Sequence, residues 1–294
     1  MVLNPKIIII AQKLKKYFLD ELTSLNEISI FICGGSKKEE LDFRKELGKN
    51  ISGVISKYRY AVYYPEDMFI ELMLGHAKHD LLSLENILAD SVNVIAILLQ
   101  SPGTFTELGA FANHEKLRDK LIVVIDPKYS RSRSFINLGP IRHLKSKTRS
   151  VVLYSPINKV NLENLVKQII NYAREISKYS KPINDLSNPI ASYEFYLALI
   201  YVFDPISKET IFNIITKLTN YKQDIILTVA ETVINSLVNE RKISFVSGNL
   251  SMTSKGVNAL IYENKSKKRS TLISLLLTDF RFESLNLTLR KDRI

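Results

Sequence analysis

The sequence predicts an α/β protein, in which a doubly wound parallel sheet is followed by a C-terminal winged helix-turn-helix domain. Three observations predict this fold. Five short apolar segments lack polar alternation, as is typical of parallel strands that helices cover on both faces. Helical patterns separate these segments. Beyond a linker, three helical patterns precede a hairpin pattern, which is the element order of a winged helix-turn-helix.

The first predicted domain spans residues 1–180. It begins with an amphipathic helix at residues 3–24, in which apolar side chains recur at helical spacing. Strands are predicted at residues 28–33, 60–64, 92–99, 121–125 and 150–154. Helices are predicted after the first strand to about residue 55, at 67–74, at 80–91, after the third strand to about 118, and at 160–178. We expect the flavodoxin-like strand order rather than the six-stranded order of dinucleotide-binding domains.

The second predicted domain spans residues 190–294 and follows a linker that contains two prolines. Helices are predicted at 191–202, 207–218 and 224–240, then a hairpin at 243–253 and a short helix from Lys255. The polar side of the third helix carries no positive charge, whereas a helix that reads the major groove usually brings arginine or lysine. Its polar residues are Thr228, Glu231, Thr232, Asn235 and Asn239. Protein contact or loose nucleic-acid contact is therefore favoured over sequence-specific reading.

Composition indicates a globular, cytoplasmic protein. The single cysteine, Cys33, excludes a disulfide framework and is expected to be a buried thiol that ends a strand. Four histidines show no metal-ligand spacing, so no metal site is predicted. No signal peptide and no membrane span is recognised, and no cofactor is expected.

Basic residues exceed acidic ones by 11 (41 against 30), which suggests an anionic partner such as nucleic acid. Residues 128–149 hold seven basic residues and no acid, and residues 265–294 hold eight against three acids. Both segments are interpreted as contact surfaces or as solvated loops. The residues predicted to contact nucleic acid or a partner are Arg131, Arg133, Arg142, Lys145 and Lys147.

The segment after the third strand, Ser101-Pro102-Gly103-Thr104-Phe105-Thr106-Glu107-Leu108-Gly109, is the most informative. Gly103 allows a ligand to approach the backbone closely, and Thr104 is a suitable helix N-cap. Glu107 lies three residues later, the spacing of a capping box. Ligands of open α/β sheets bind at the carboxyl ends of the strands, which is where this segment lies. Glu107 is therefore either a cap or a catalytic carboxylate.

Other candidate ligand-binding residues follow the first two strands. Gly34 and Gly35 form a turn whose backbone N–H groups suit a phosphate or a sugar, although the G-x-G-x-x-G spacing is absent. Tyr64 and Asp67 end the second strand, and Asp67 either holds a ribose hydroxyl or caps the next helix. Asn137, in the basic loop, either reaches a phosphate or a neighbouring subunit or is simply solvated.

At Gly103-Thr104-x-x-Glu107-Leu108-Gly109 the sequence resembles the nucleoside deoxyribosyltransferase superfamily. Over nearly the whole chain it resembles the effector proteins of type II retrons, which pair a deoxyribosyltransferase-like domain with a winged-helix domain. The segments that carry this second resemblance are residues 31–35, 64–67, 81–89, 101–111, 133–137, 139–140 and 239–243.

The resemblance implies N-glycosidic bond cleavage, in which Glu107 stabilises the oxocarbenium-like sugar or bonds to it. It implies NAD as the leading substrate, hydrolysed to ADP-ribose and nicotinamide. Glu85 is the nearest match to a second acidic residue of the family, and otherwise lies on a solvated helix face; its neighbour Asn86 has the same two interpretations. Ser101 stands where many transferases carry an aspartate that would serve a neutral leaving base, which favours a substrate with a good leaving group.

The resemblance also implies partners: a retron reverse transcriptase and its branched RNA–DNA hybrid, which hold a toxic anti-phage effector inactive. A homo-oligomer or higher assembly is expected. Two other functions remain open at this point. The same fold cleaves or transfers nucleosides or nucleotides, or the chain is a nucleic-acid-binding regulator whose first domain senses a nucleotide.

Overall fold

The computed structural model describes residues 4–21, 27–65, 87, 90–263 and 267–291, and side chains as far as residue 287. The chain divides into two compact units. The sheet unit comprises residues 24–182, and the helical unit comprises residues 1–23 together with 183–294. The division near residue 182 falls in the predicted linker. Residues 1–23 group with the C-terminal segment, whereas the predicted boundaries assigned them to the first domain.

The sheet unit is built on five parallel strands in the order β2-β1-β3-β4-β5, which is the expected flavodoxin-like order. The strands are β1 (Glu27–Cys33), β2 (Arg59–Tyr63), β3 (Val94–Leu98), β4 (Leu121–Ile125) and β5 (Val151–Tyr154). The first described helix, α1 (Pro5–Lys15), belongs to the helical unit. The α-helices described in the sheet unit are α2 (Lys38–Ser52), α3 (Pro102–Asn113), α4 (Arg142–Lys147) and α5 (Leu162–Ser177). The predicted helices at 67–74 and 80–91 lie outside the described residues, apart from isolated positions.

Both faces of the sheet are covered, which explains why the strands lack polar alternation. Alternate strand residues such as Ile30, Ala96 and Ile122 pack with α2 and α5 in one apolar core. Neighbouring residues such as Cys33 are also buried but lie outside that core, because successive side chains of a strand point to opposite faces. Cys33 pairs with Ile97 in the parallel ladder. The carboxyl ends of β1 and β3 therefore coincide, and the residues that follow them meet at one edge of the sheet.

The helical unit contains α1, a π-helical segment Lys16–Glu21, and seven further elements. These are α6 (Pro189–Val202), α7 (Lys208–Leu218), α8 (Gln223–Asn239), the hairpin strands β6 (Ile243–Val246) and β7 (Asn249–Met252), α9 (Ser254–Ile261) and α10 (Lys267–Lys291). Ile206, before α7, forms an isolated antiparallel bridge with Leu250 of β7. Three helices and a hairpin occur in the predicted order, and the winged-helix assignment itself stays a prediction.

The third of these helices, α8, is more buried than the sequence suggested. Thr228 and Thr232 were placed on its polar side, yet both are buried, and each hydroxyl donates to a carbonyl four residues earlier. Such back-bonding lets a threonine face an apolar environment. Of the predicted polar side, Asn235 and Asn239 are exposed, and Glu231 pairs with Lys208. The described face of α8 therefore offers few groups to a nucleic acid.

The basic C-terminal segment is a helix of 25 residues, not a tail or solvated loop. The reason lies in its apolar residues, because Ile273, Leu277 and Phe280 recur at helical spacing and are buried. Ser284 also packs inside, where its hydroxyl donates to the carbonyl of Val202 at 2.7 Å.

Candidate active site

Glu107 lies in the second turn of α3 and does not cap it. The N-cap is Ser101, and Pro102 occupies the first helical position. The capping box is formed by Ser101 and Thr104: the Thr104 N–H donates to Ser101 Oγ at 3.5 Å, and the Ser101 N–H donates to Thr104 Oγ1 at 3.1 Å. The predicted capping box of Thr104 and Glu107 is therefore wrong. The helix is capped three residues earlier than expected, at Ser101 instead of Thr104, because Pro102 suits the first helical position, and the carboxylate is left with no capping role.

The environment of Glu107 is apolar on balance. Its side chain is half-buried, and Oε2 is buried without a hydrogen-bond partner among the described residues. Burial raises the pKa of the Glu107 carboxyl, whereas the positive charge of Arg44 and a hydrogen bond from the Cys33 thiol lower it. Burial is the largest of the three effects. The carboxyl thus needs a higher pH to ionise than an ordinary glutamate does.

The side chains of Arg44 and Gln100 both approach Gly34. A Cβ at this position would stand 3.1 Å from Arg44 Cδ and 3.5 Å from Gln100 Oε1. That Gln100 oxygen is buried and has no hydrogen-bond partner within the described part of the chain. Gly34 directly follows Cys33, whose thiol donates a hydrogen bond to the Glu107 carboxylate. Gln100 lies two residues after the end of β3. The site therefore gathers Arg44, Gln100 and Glu107 at the shared carboxyl edge of β1 and β3.

Arg44 reaches this edge from α2, where it is 3% exposed. Its guanidinium lies over the ring of Tyr64, 5.6 Å from the centroid, in a cation–π contact. Gly48, one turn after Arg44, makes room for that ring, since a Cβ there would stand 1.9 Å from Tyr64 Oη. Tyr64, predicted to bind substrate, is thus placed beside Arg44.

The other residues predicted to bind substrate at this edge are Gly35 and Gly103, which the structure describes, and three residues that it does not. Gly35 has no positive φ, and a Cβ on it would meet the Glu40 carboxylate, which accepts a hydrogen bond from the Lys37 N–H. An anion beside Gly35 disfavours a phosphate there, and the alternative, a sugar, stays a prediction. Gly103 is exposed, and among the described atoms a Cβ on it would meet only Ser101 Oγ, at 3.8 Å, so these residues leave space for a close-lying ligand. Asp67, Glu85 and Asn86 lie outside the described residues.

Asn137 is half-buried and organises its own loop. Its Nδ2 donates to the carbonyls of Tyr129 at 2.7 Å and Ser132 at 2.8 Å. Both of its N–H donors are therefore used, and only the acceptor Oδ1, which has no hydrogen-bond partner among the residues described, remains. An acceptor suits a hydroxyl or N–H group rather than a phosphate, so the structure gives no support for the predicted phosphate contact.

The basic loop surface is defined as the side chains of Arg131, Arg133, Arg142, Lys145 and Lys147, all of which are exposed. The loop interpretation is wrong for the last three, because they lie on the helix α4, whose residue Leu144 is buried. Among the residues that the structure describes, Lys145 is the one side chain of this surface with a polar partner, the hydroxyl of Tyr154 at 3.2 Å. Phe135, between these basic residues in the chain, is 85% exposed, and Leu138 is 58% exposed. Unneutralised cations beside an exposed aromatic ring are typical of surfaces that bind single-stranded nucleic acid.

In the ranges that the structure describes, no group of three histidine, cysteine, aspartate or glutamate residues could hold a metal ion. The helices so described include none that is long and apolar enough to cross a membrane.

Comparison with known proteins identifies the family. A family described as STM3845 retron effector protein matches residues 40–247, which include Arg44, Gln100 and Glu107. The chain belongs to this retron effector family. The "Retron Ec86 putative ribosyltransferase/DNA-binding protein" of Escherichia coli is 35% identical over 272 residues, 88% of this chain and 86% of that protein. The "Retron Ec73 putative ribosyltransferase/DNA-binding protein" of the same organism is 34% identical over 124 residues, 41% of this chain and 39% of that protein.

Sequence reasoning about this retron effector missed Arg44, Gln100 and Gly48. Arg44 occurs among the charged residues of α2 and has no pattern that distinguishes it from its exposed neighbour Lys45. A signal was present at Gln100, which is the first polar residue after a wholly buried strand and so marks the sheet edge.

Proposed function

We propose that this retron effector cleaves an N-glycosidic bond, and that NAD, hydrolysed to ADP-ribose and nicotinamide, is its leading substrate. The observation that carries the proposal is the Glu107 carboxylate, half-buried at the ligand-binding edge of the sheet with an oxygen that no described residue engages. The relatives' names support glycosyl transfer as the class of reaction, since both contain the word ribosyltransferase.

The chemistry needs a carboxylate on one face of the sugar. As the base departs with the bonding electron pair, positive charge develops at the anomeric carbon, and the ionised Glu107 stabilises that charge or bonds to it. In NAD the departing ring is cationic, and the electron pair neutralises it, so no proton donor is required. Water then adds to the anomeric carbon and releases one proton. Glu107 works only when ionised, and its raised pKa places the onset of activity above the ordinary glutamate range.

The basic loop surface supports contact with an anionic nucleic acid, and the buried α8 supports a contact that does not read sequence. We propose that this nucleic acid is the RNA–DNA hybrid of the retron, and that the reverse transcriptase and the hybrid hold a toxic anti-phage effector inactive in the cytoplasm. The DNA-binding function in the names of both relatives is consistent with this partner.

The test is incubation of purified protein with NAD, deoxynucleosides and nucleotides separately, followed by chromatography of the small molecules. We expect nicotinamide and ADP-ribose from NAD, and slower base release from deoxyadenosine and deoxyinosine. Faster release from neutral deoxynucleosides would make the chain a deoxyribosyltransferase or nucleosidase. No base release from any substrate, with and without the hybrid, would instead favour a regulator that senses a nucleotide.

A further inference from the structure

We propose that Phe135 is a stacking platform for a base of single-stranded nucleic acid, whose phosphates bind to the basic loop surface. The inference deepens the proposed function and rests on it for the source of the strand, the retron hybrid. The mode of binding can be tested with synthetic oligonucleotides, without the hybrid and without a glycoside.

The first argument is the charge of the surface. Residues 128–149 contain no acid, and the nearest preceding acid, Asp126, forms an ion pair with Lys128 at 3.5 Å. Two exposed arginines of the surface, Arg131 and Arg133, have no acidic partner among the residues that the structure describes. Uncompensated cations of this kind attract the phosphates of a nucleic acid.

The second argument is the position of the Phe135 ring among these cations. Phe135 follows Arg133 by two residues and is 85% exposed. One side of the ring lies against Gly139, since a Cβ on that glycine would stand 3.7 Å from Phe135 Cε1. An unpaired base can stack on such an aromatic ring, whereas the bases of a duplex are already stacked on one another. The ring therefore favours a single strand over a duplex.

The third argument is that hydrogen bonds hold the loop around Phe135. Asn137 Nδ2 donates to the carbonyls of Tyr129 at 2.7 Å and Ser132 at 2.8 Å. These bonds join the chain before the ring to the chain after it. A ring on a backbone that is held in this way loses less conformational freedom when a base stacks on it, which favours binding.

The exposed apolar residues of this region are too few to bind a membrane. Phe135 and Leu138 are exposed, but Leu144, the apolar residue of α4, is buried. A helix that lies on a membrane surface needs a broad apolar face on its outer side, and α4 has none. Many cations around one exposed ring fit a strand of phosphates and bases better than they fit a lipid surface.

The experiment measures the binding of fluorescein-labelled oligo(dT), and of a blunt duplex of the same length, by fluorescence anisotropy at several salt concentrations. We expect Phe135→Ala to weaken the binding of oligo(dT) at least about fivefold, as the loss of one base–aromatic stack does. The slope of log K against log salt should stay unchanged, because no phosphate contact is lost. Phe135→Trp should retain the affinity, and neither variant should alter binding of the duplex. The matched control is Phe282→Ala, which removes another exposed phenylalanine, on α10, and should change nothing.

An abasic strand of the same length tests the inference on the wild-type protein, which should bind it at least about fivefold more weakly than oligo(dT). Equal affinity for the two strands would overturn the inference, as would an equal effect of Phe135→Ala on single strand and duplex. Binding to phosphatidylserine vesicles that depends on Phe135, without binding to oligo(dT), would assign the surface to a membrane instead.

Failure of the inference and failure of the proposed function have different signatures. A protein that releases nicotinamide from NAD and binds the hybrid equally well with and without Phe135→Ala would refute the inference alone. A protein that binds oligo(dT) through Phe135, but neither binds the hybrid nor cleaves a glycoside, would refute the proposed function and leave the inference standing.

Discussion

Replacing Glu107 by glutamine separates chemistry from stability at a single carboxyl group. The substitution keeps the volume of the side chain and an acceptor for the Cys33 thiol but removes the charge that meets the developing oxocarbenium ion. Losing a preorganised electrostatic contact of this kind costs about 10²–10³ in kcat, which corresponds to about 3–4 kcal/mol. We therefore expect Glu107→Gln to lower kcat on NAD by at least about a hundredfold.

The effect of the same substitution on stability has the opposite sign. Because the folded pKa of Glu107 is raised above its unfolded value, ionisation disfavours folding once the pH exceeds the unfolded pKa, and below that pKa this penalty is absent. Each unit by which folding raises a pKa lowers the free energy of unfolding by about 1.4 kcal/mol when the group is fully ionised. No cap is lost, since Ser101 and Thr104 cap the helix. Glu107→Gln should thus be as stable as wild type near pH 4 and more stable near pH 7.

The assay pairs nicotinamide release with urea unfolding at pH 4 and pH 7, and Glu115→Gln is the matched control. Glu115 is an exposed glutamate just beyond the same helix, so its amide variant should keep both wild-type activity and wild-type stability. Two results would refute the reasoning. Wild-type turnover by Glu107→Gln would remove the carboxylate from the mechanism, and a loss of stability at pH 7 would assign it a structural role.

Three further outcomes are expected. Nicotinamide release from NAD should exceed base release from deoxyadenosine, measured by chromatography under identical conditions, because a neutral purine needs a proton donor that Ser101 does not supply. Serine replacements at four positions of the basic loop surface, Arg131, Arg133, Lys145 and Lys147, should weaken binding to the hybrid. If each of the four side chains contacts one phosphate, the negative slope of log K against log salt should become less steep by about three. As a control, serine replacements are made at four exposed lysines elsewhere in the sheet unit, Lys45, Lys49, Lys57 and Lys167. This control and Asn235→Ala on α8 should each leave the salt slope near that of the wild type. Gly109→Ala, inside α3 with no described atom within 4 Å of the new Cβ, should stabilise the protein by about 0.5–1 kcal/mol in thermal unfolding, and a loss instead would show that the space is occupied.

The sheet could be predicted from the sequence because its strands are buried on both faces and follow one another as uninterrupted apolar runs. The fourth strand was predicted at residues 121–125 and observed there. The helical unit was predicted less completely. Periodicity identified α8, but it could not show that Thr228 and Thr232 are buried, since a threonine that bonds its own helix satisfies its hydroxyl without solvent. Burial of that kind depends on the helices packed around α8, which a single-sequence pattern does not reveal.

Only those site residues that closely follow the end of a strand could be predicted from the sequence. Gly34, Ser101, Gly103 and Glu107 all lie within ten residues of the end of β1 or β3, so the rule for open α/β sheets places them together. Arg44 enters from the interior of a neighbouring helix, and its place at the site depends on the tertiary packing of α2. The cues to it are indirect: Gly34 and Gly48 lack side chains where Arg44 Cδ and the Tyr64 ring lie.

The start of α3 bears on why Glu107 is a functional residue. Two pairs in the segment have capping-box spacing, Ser101 with Thr104 and Thr104 with Glu107, and Pro102 favours the first because proline fits the first helical position. Glu107 therefore contributes nothing to the helix terminus, and burial raises the pKa of its carboxyl, so that ionisation lowers the stability of the folded state. A neutral side chain of the same size would fold at least as well. A residue that lowers stability without structural compensation is what a stability–activity trade-off produces at a catalytic position. The same energetics that raise the Glu107 pKa thus argue that its carboxylate serves the reaction.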